Sequence, residues 1–168
     1  MLYRKATLDT GVFPAEDLQA LATPLQIELH ATTVTVREVA GSSFALEVEA
    51  LPSARETFVF GESLLGIGAL GNSSDADILQ RLIDVISNCS FPAVGHRETL
   101  NQGERKQLRD AMALAAHLRS AHDVFVTTDK RAFVNKGRRE RLQGMFGVRI
   151  LTRHEFLTEL TRLRPTGT

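Results

Sequence analysis

Four acidic side chains in this chain stand where an acid is costly to keep. Asp9 ends the apolar run Ala6-Thr7-Leu8-Asp9, and Glu38 closes the β-branched run Thr33-Val34-Thr35-Val36-Arg37-Glu38. Asp110 heads the helix-prone stretch Ala111-Met112-Ala113-Leu114-Ala115-Ala116, and Asp129 ends the strand-like run Asp123-Val124-Phe125-Val126-Thr127-Thr128. A carboxylate at the end of a buried strand costs free energy unless something pairs with it. Several gathered at one place repel one another until a cation neutralises them. An all-oxygen cluster suits Mg2+ or Mn2+ rather than zinc. Each acid also has a simpler role open to it. Asp9 and Asp129 could cap turns, Asp110 could sit in the first turns of a helix, and Glu38 could pair with Arg37 or another base.

A phosphodiester approaching carboxylates needs cations beside it. The formal net charge is zero, but Lys130, Arg131, Lys136, Arg138, Arg139, Arg141, Arg149 and Arg153 crowd residues 130–153 against Glu140 alone. Such a run is either a solvated face or a grip on a backbone, and it begins one residue after Asp129. Lys130, Arg131, Arg138 and Arg139 are the candidates for holding a substrate.

The order of these segments resembles that of the PIN domain family of metal-dependent nucleases, with a gap in the match at residues 41–100. The family's pattern is met by Leu8-Asp9-Thr10 after the first strand and by Val36-Arg37-Glu38-Val39 after the second. It is met again by Arg109-Asp110-Ala111-Met112 leading an alanine-rich helix and by Val126-Thr127-Thr128-Asp129-Lys130-Arg131-Ala132-Phe133. Phe146-Gly147-Val148-Arg149-Ile150-Leu151-Thr152, followed by Glu155-Phe156-Leu157, is similar to the closing strand and helix. The resemblance implies a three-layer α/β sandwich with a central parallel sheet and helices on both faces. It implies an endoribonuclease that hydrolyses single-stranded RNA with one or two Mg2+ or Mn2+ ions held by Asp9, Glu38, Asp110 and Asp129. Thr127 matches the family's hydroxyl position, which could orient the attacking water. The toxin nucleases of toxin–antitoxin modules are of this kind, so an antitoxin-like partner or a homodimer is implied as well. The alternative is a PIN-like module that binds RNA or protein with little activity.

The elements that must position these residues are legible as alternation. Length fits one domain, 1–168, with 41–100 as a candidate inserted stretch. Strands are expected at 6–9, within 25–36, at 57–60, at 123–128 and at 148–151. Helices are expected at Pro14–Leu21 with Pro in the first turn, at 75–88, from Asn101 to about Ala121, at 137–145, and after Thr152. Ser74 with Asp77 and Asn101 with Glu104 are spaced as capping boxes, and Thr152 with Glu155 marks the last helix start. On the helix after Asn101, Asp110 shares a column with Ala113, Leu114 and His117, so its carboxylate points along an inward strip. Strands alternating with helices argue for a parallel sheet, with ligands outside the carboxyl ends of its strands.

Other signals are weaker. Gly66-Ile67-Gly68-Ala69-Leu70-Gly71 matches a dinucleotide fingerprint by letters but lacks the strand before it, and Gly61–Ser74 is expected to be a mobile loop. The five histidines lack zinc spacing, and His117 is expected to be a hydrogen-bonded core residue. Cys89, the only cysteine, is expected to be a packed thiol. With no internal disulfide it fits a reducing cytosol. No Gly-x-Ser-x-Gly elbow occurs. Gly11 stands where an aspartyl-phosphate hydrolase needs a second Asp. No apolar run approaches the roughly 20 residues needed to cross a membrane, and no signal peptide precedes the first strand. The tail Arg164–Thr168 is expected to fray.

Overall fold

The computed structural model describes residues 3–57, 59, 71–93, 96 and 99–163. Five short strands carry the frame: β1 (Lys5–Leu8), β2 (Glu28–Thr32), β3 (Ser53–Ala54), β4 (Val124–Thr127) and β5 (Ile150–Thr152). They pair in the order β3-β2-β1-β4-β5, and every pairing is parallel. The helices between them are α1 (Glu16–Ala22), α2 (Thr33–Glu38), α3 (Ala45–Glu49), α4 (Ser73–Ser87), α5 (Gln102–Arg119), α6 (Lys130–Phe133), α7 (Arg138–Phe146) and α8 (Arg153–Leu163).

Successive strand side chains point to opposite faces, and both faces are covered here. Ala6, Leu8, Val124 and Val126 pack against Leu18 of α1 and Phe156 and Leu160 of α8. Phe125 and Ile150 face the other way, onto Leu82, Ile83 and Ile86 of α4 and Met112 and Leu114 of α5. The expected three-layer α/β sandwich is therefore what the chain forms. From β1 the sheet grows one way through β2 and β3, and the other way through β4 and β5. The junction of β1 and β4 is thus the switch point where open parallel sheets leave a crevice at their carboxyl ends. Asp9 follows β1 directly, and Asp129 lies two residues beyond β4.

Several local expectations are corrected. The β-branched run Thr33-Val34-Thr35-Val36 is helical, not a strand. Thr32 caps α2 by accepting from Thr35 N at 3.1 Å, and Val34 is buried in the α4–α5 core. A cap and a tertiary contact override the weak strand preference. The capping box of α4 is Asn72 with Asp75, two residues before the Ser74–Asp77 pair, with both reciprocal bonds at 2.9 Å. Pro14 precedes α1 rather than sitting in its first turn, because the helix begins at Glu16 after a cis Phe13–Pro14 peptide. The edge strand is Ser53–Ala54 rather than 57–60, where Thr57 makes only an isolated bridge. Phe58 and Phe60 lie outside the described residues. So do Gly61–Leu70, with most of the expected loop, and the tail. Cys89 is exposed rather than packed, standing at φ +60° just past the end of α4. The boxes at Asn101–Glu104 and Thr152–Glu155 form as expected. Among the described residues no helix is long and apolar enough to cross a membrane.

Candidate functional site

Asp9, Glu38, Asp110 and Asp129 line one cleft of about 620 Å³, at the carboxyl ends of β1 and β4. Gly11 allows the loop after β1 to press against the loop after β4, since a Cβ there would collide with Thr128 Oγ1. Thr127, fully buried at the end of β4, ties the two loops together. Its hydroxyl donates to Asp9 Oδ2 at 2.7 Å and accepts from Asp129 N at 2.9 Å. The one hydroxyl proton is therefore committed to Asp9. Thr127 thus positions two acids, and any part it plays in orienting a water is as an acceptor.

The simpler cap roles also hold, and they leave chemistry to spare. Asp9 Oδ1 accepts from Thr10 N at 2.9 Å, and Asp129 Oδ1 accepts from Ala132 N at 2.8 Å. Each carboxylate uses Oδ1 as a cap, while Oδ2 accepts from the Thr127 hydroxyl in Asp9 and from the Lys106 ammonium in Asp129. Asp110 stands on the inward strip of α5, its side chain 13% exposed. Glu38 is exposed at the end of α2 and accepts from Thr10 Oγ1 at 2.5 Å. Its expected partner Arg37 instead meets the fully buried Glu56 at 2.5 Å.

Sequence reasoning misses Lys106. Its ammonium donates to both oxygens of Asp110, at 3.0 and 3.3 Å, and to Asp129 Oδ2. The signal that could have found it is the spacing Lys106-x-x-x-Asp110, which puts both on one side of a helix. Among the described residues, no three of His, Cys, Asp and Glu are disposed to grip one ion as they stand. A lysine lies among them.

The electrostatics follow from burial. Desolvation pushes Asp9 up to about 6, only partly offset by the bonds from Thr127 and Thr10. Desolvation, with the charge of Asp9 second, pushes Asp110 up to about 7 despite Lys106. Burial raises Asp129 too, but bonds from Lys106 and Ala132 N outweigh it and leave its carboxyl below the usual range. Burial lowers the Lys106 ammonium, yet Asp110 and Asp129 together lift it above its ordinary value.

The basic stretch splits. Arg139 forms a bidentate pair with Glu155 at 2.9 and 3.1 Å, Arg149 meets Glu159, and Arg153 meets Asp17. Arg138 is fastened to the carbonyls of Val85 and Arg131. Arg139 and Arg138 thus hold the fold together, whereas Lys130 and Arg131 line the acidic cleft.

His117 is the hydrogen-bonded core residue expected. Thr7 Oγ1 lies 2.9 Å from His117 Nδ1 and 2.8 Å from His122 Nδ1. A hydroxyl can donate to one ring only, so the other ring must donate to it. Burial, then the neighbouring His122, lowers His117 to about 3; burial, then His30, lowers His122 to about 4.

Comparison with protein-family models gives no match for this chain, and comparison with curated proteins gives none either.

Proposed function

We propose that this chain is a PIN-like, metal-dependent endoribonuclease that hydrolyses phosphodiester bonds in single-stranded RNA. The observation that carries the proposal is the convergence of Asp9, Glu38, Asp110 and Asp129 on one cleft at the switch point of the sheet. The donor set fits a hard divalent cation. It is all oxygen, and burial holds Asp9 and Asp110 above the usual carboxylate range, which is the mark of acids lacking a counter-charge. The ammonium of Lys106 between Asp110 and Asp129 is a stand-in for that charge. Asp9, Asp110 and Asp129 would hold Mg2+ or Mn2+, with Glu38 on the open side. A bound divalent ion supplies polarisation of water and neutralisation of charge developing on the phosphate.

The chain's own residues do the rest. Thr127 holds Asp9 and Asp129 in register with each other. Lys130 and Arg131, on the rim of the same cleft, offer cations to the flanking phosphates. RNA is the partner this requires, and a cytosolic setting suits it. The binding-module alternative draws on one observation, that Lys106 already neutralises part of the cluster.

The test is cleavage of a labelled single-stranded RNA in Mn2+ and in EDTA. Cleavage is expected only with the metal, and Asp9→Asn and Asp129→Asn each lower it by orders of magnitude without additivity, since the acids act as one unit. Equal rates in EDTA, or full activity in either variant, refute the nuclease.

A further inference from the structure

Glu56 is a carboxylate that the proposed chemistry does not use, and among the described residues it is the most deeply buried acid, with no exposure at all. It stands two residues beyond β3. Both of its oxygens are taken by α2. Thr33 Oγ1, in the first residue of that helix, donates to Oε2 at 3.1 Å, and Arg37 Nη1, in the fifth, donates to Oε1 at 2.5 Å. The backbone closes the same contact, since Glu56 N donates to Thr33 Oγ1 at 2.9 Å. Thr33 and Arg37 are four residues apart and so lie on one side of the helix.

The other sides of α2 are assigned as well. Val34 is packed into the core of α4 and α5. Thr35 and Glu38, three residues apart, both meet the Thr10 hydroxyl, at 3.3 and 2.5 Å. A helix of six residues has too few bonds of its own to hold its shape, since isolated helices shorter than about 12–15 residues are marginal. These three sets of contacts therefore fix α2, and the set made by Glu56 reaches both of its ends. Glu38 is the last residue of α2, directly after Arg37.

Stability alone does not explain the pair. A fully buried ion pair often adds less than apolar side chains packed into the same space. Arg37 also leaves its Nη2 buried without a partner among the described residues. With Nη1 on Glu56 and Nη2 buried, the guanidinium is turned into the protein, although Arg37 and Glu38 line one cavity of about 860 Å³. Arg37 is thus committed to Glu56 rather than to a substrate.

We infer that Glu56 is a positioning residue for the candidate metal centre: by holding Thr33 and Arg37 it fixes α2, and α2 sets where the Glu38 carboxylate stands relative to Asp9, Asp110 and Asp129. The inference rests on the nuclease reading for what Glu38 does there. Glu56, being fully buried, touches neither ion nor RNA. Its removal leaves all four acids in place and frees the segment that carries one of them.

The test is Mn2+ binding by the intact chain without RNA, read from the electron paramagnetic resonance of the free ion, in the parent, Glu56→Gln, Glu38→Gln and the double variant. Glu56→Gln is expected to weaken Mn2+ about tenfold, the low end for groups that orient a metal's ligands. Glu38→Gln is expected to weaken it too, and Glu56→Gln then to add little in the double variant, because two residues acting through one carboxylate do not add. A general loosening of the fold would instead lower affinity equally in both backgrounds. Amide exchange reads the hold directly. The Val39 N–H, which donates to Thr35 O at 3.0 Å across the end of α2, should exchange faster in Glu56→Gln. Thr33→Val keeps the Arg37–Glu56 pair and is the second variant should Glu56→Gln fail to fold, with the same changes expected at smaller size. Unchanged Mn2+ affinity in the folded variants, additive losses with Glu38→Gln, or unchanged exchange at Val39 overturns the role of Glu56 and leaves the nuclease standing. A parent that binds no Mn2+ rejects the nuclease and this role with it.

Discussion

Replacing Asp110 with Asn tests whether this carboxylate is held at a cost for the sake of a cation. The carboxyl sits near 7 in the folded chain against an ordinary 3.8. Each pKa unit is worth about 1.4 kcal/mol, so carrying the ionised form at pH 8 costs the fold about 4 kcal/mol. That cost is already net of the attraction of Lys106, which is 59% exposed and offsets little of it. The metal-free Asp110→Asn protein should therefore be more stable than the parent at pH 8 by about 4 kcal/mol, or roughly 8–16 °C in melting temperature for a chain of this size. The sign depends on pH. A raised folded pKa stabilises below the unfolded value, and that contribution is lost as pH rises from about 4 to about 7. Near pH 4 the carboxyl is protonated in the folded chain and about half protonated in the unfolded one, so the gap should shrink to about 0.6 kcal/mol and the two proteins should melt close together. Millimolar Mn2+ should raise the parent's melting temperature at pH 8 and leave the variant's nearly unchanged, because a ligand that binds only the folded state stabilises by mass action. Melts in EDTA and in Mn2+ at both pH values are the assay. A variant that melts at or below the parent at pH 8 in EDTA would refute the idea that Asp110 is kept charged at the expense of the fold.

Two further outcomes follow from the same geometry. Lys130→Ala with Arg131→Ala should flatten the dependence of single-stranded RNA affinity on salt, by about 0.7 in log–log slope for each phosphate no longer neutralised. Arg139→Ala should leave that slope alone and lower stability instead, because Glu155 already holds its guanidinium; a changed slope would mean that Arg139 reaches the RNA. At the histidines the sign is reversed. His117 and His122 are held neutral near 3 and 4, so the stability they contribute is present above about 6.5 and is lost as pH falls toward those values. His117→Gln keeps an amide for Thr7 without the titration, and urea midpoints between pH 6.5 and 4 should fall less steeply than in the parent. An equal slope in the two proteins would show that His117 is not the group being protonated.

What the sequence made legible is what is local. Strand–helix alternation, the Asn101–Glu104 and Thr152–Glu155 boxes and the apolar column of Asp110 each depend on residues within one or two turns, and each is found where expected. Asp9 and Asp129 converge because strand ends at a switch point must, whichever residues they carry. The misread parts depend on partners far along the chain. Thr33–Val36 is helical because Val34 is buried against elements more than 40 residues on and because Thr32 caps the turn. Arg139 is spent on Glu155, 16 residues away, which no count of charges within 130–153 could reveal. The tie from the Thr127 hydroxyl to Asp9, 118 residues upstream, is likewise beyond what spacing can show. Glu56 gave no signal at all. A glutamate between Arg55 and Thr57 is ordinary until it is found buried on Thr33 and Arg37.

Lys106 carries a consequence for how a metal could enter. A lysine is joined to the chain, so unlike a dissolved ion it is never diluted away from Asp110 and Asp129. Its effective concentration there is set by the length of its own side chain. A sodium or potassium ion of equal charge has nothing to gain by competing with such a neighbour. A divalent ion brings twice the charge, and the evicted side chain regains up to about 2 kcal/mol of rotamer freedom. Metal affinity in this protein is then an exchange constant, the difference between two cations contending for the same oxygens. Shortening or neutralising residue 106 should sharpen metal binding with no change to the four acids.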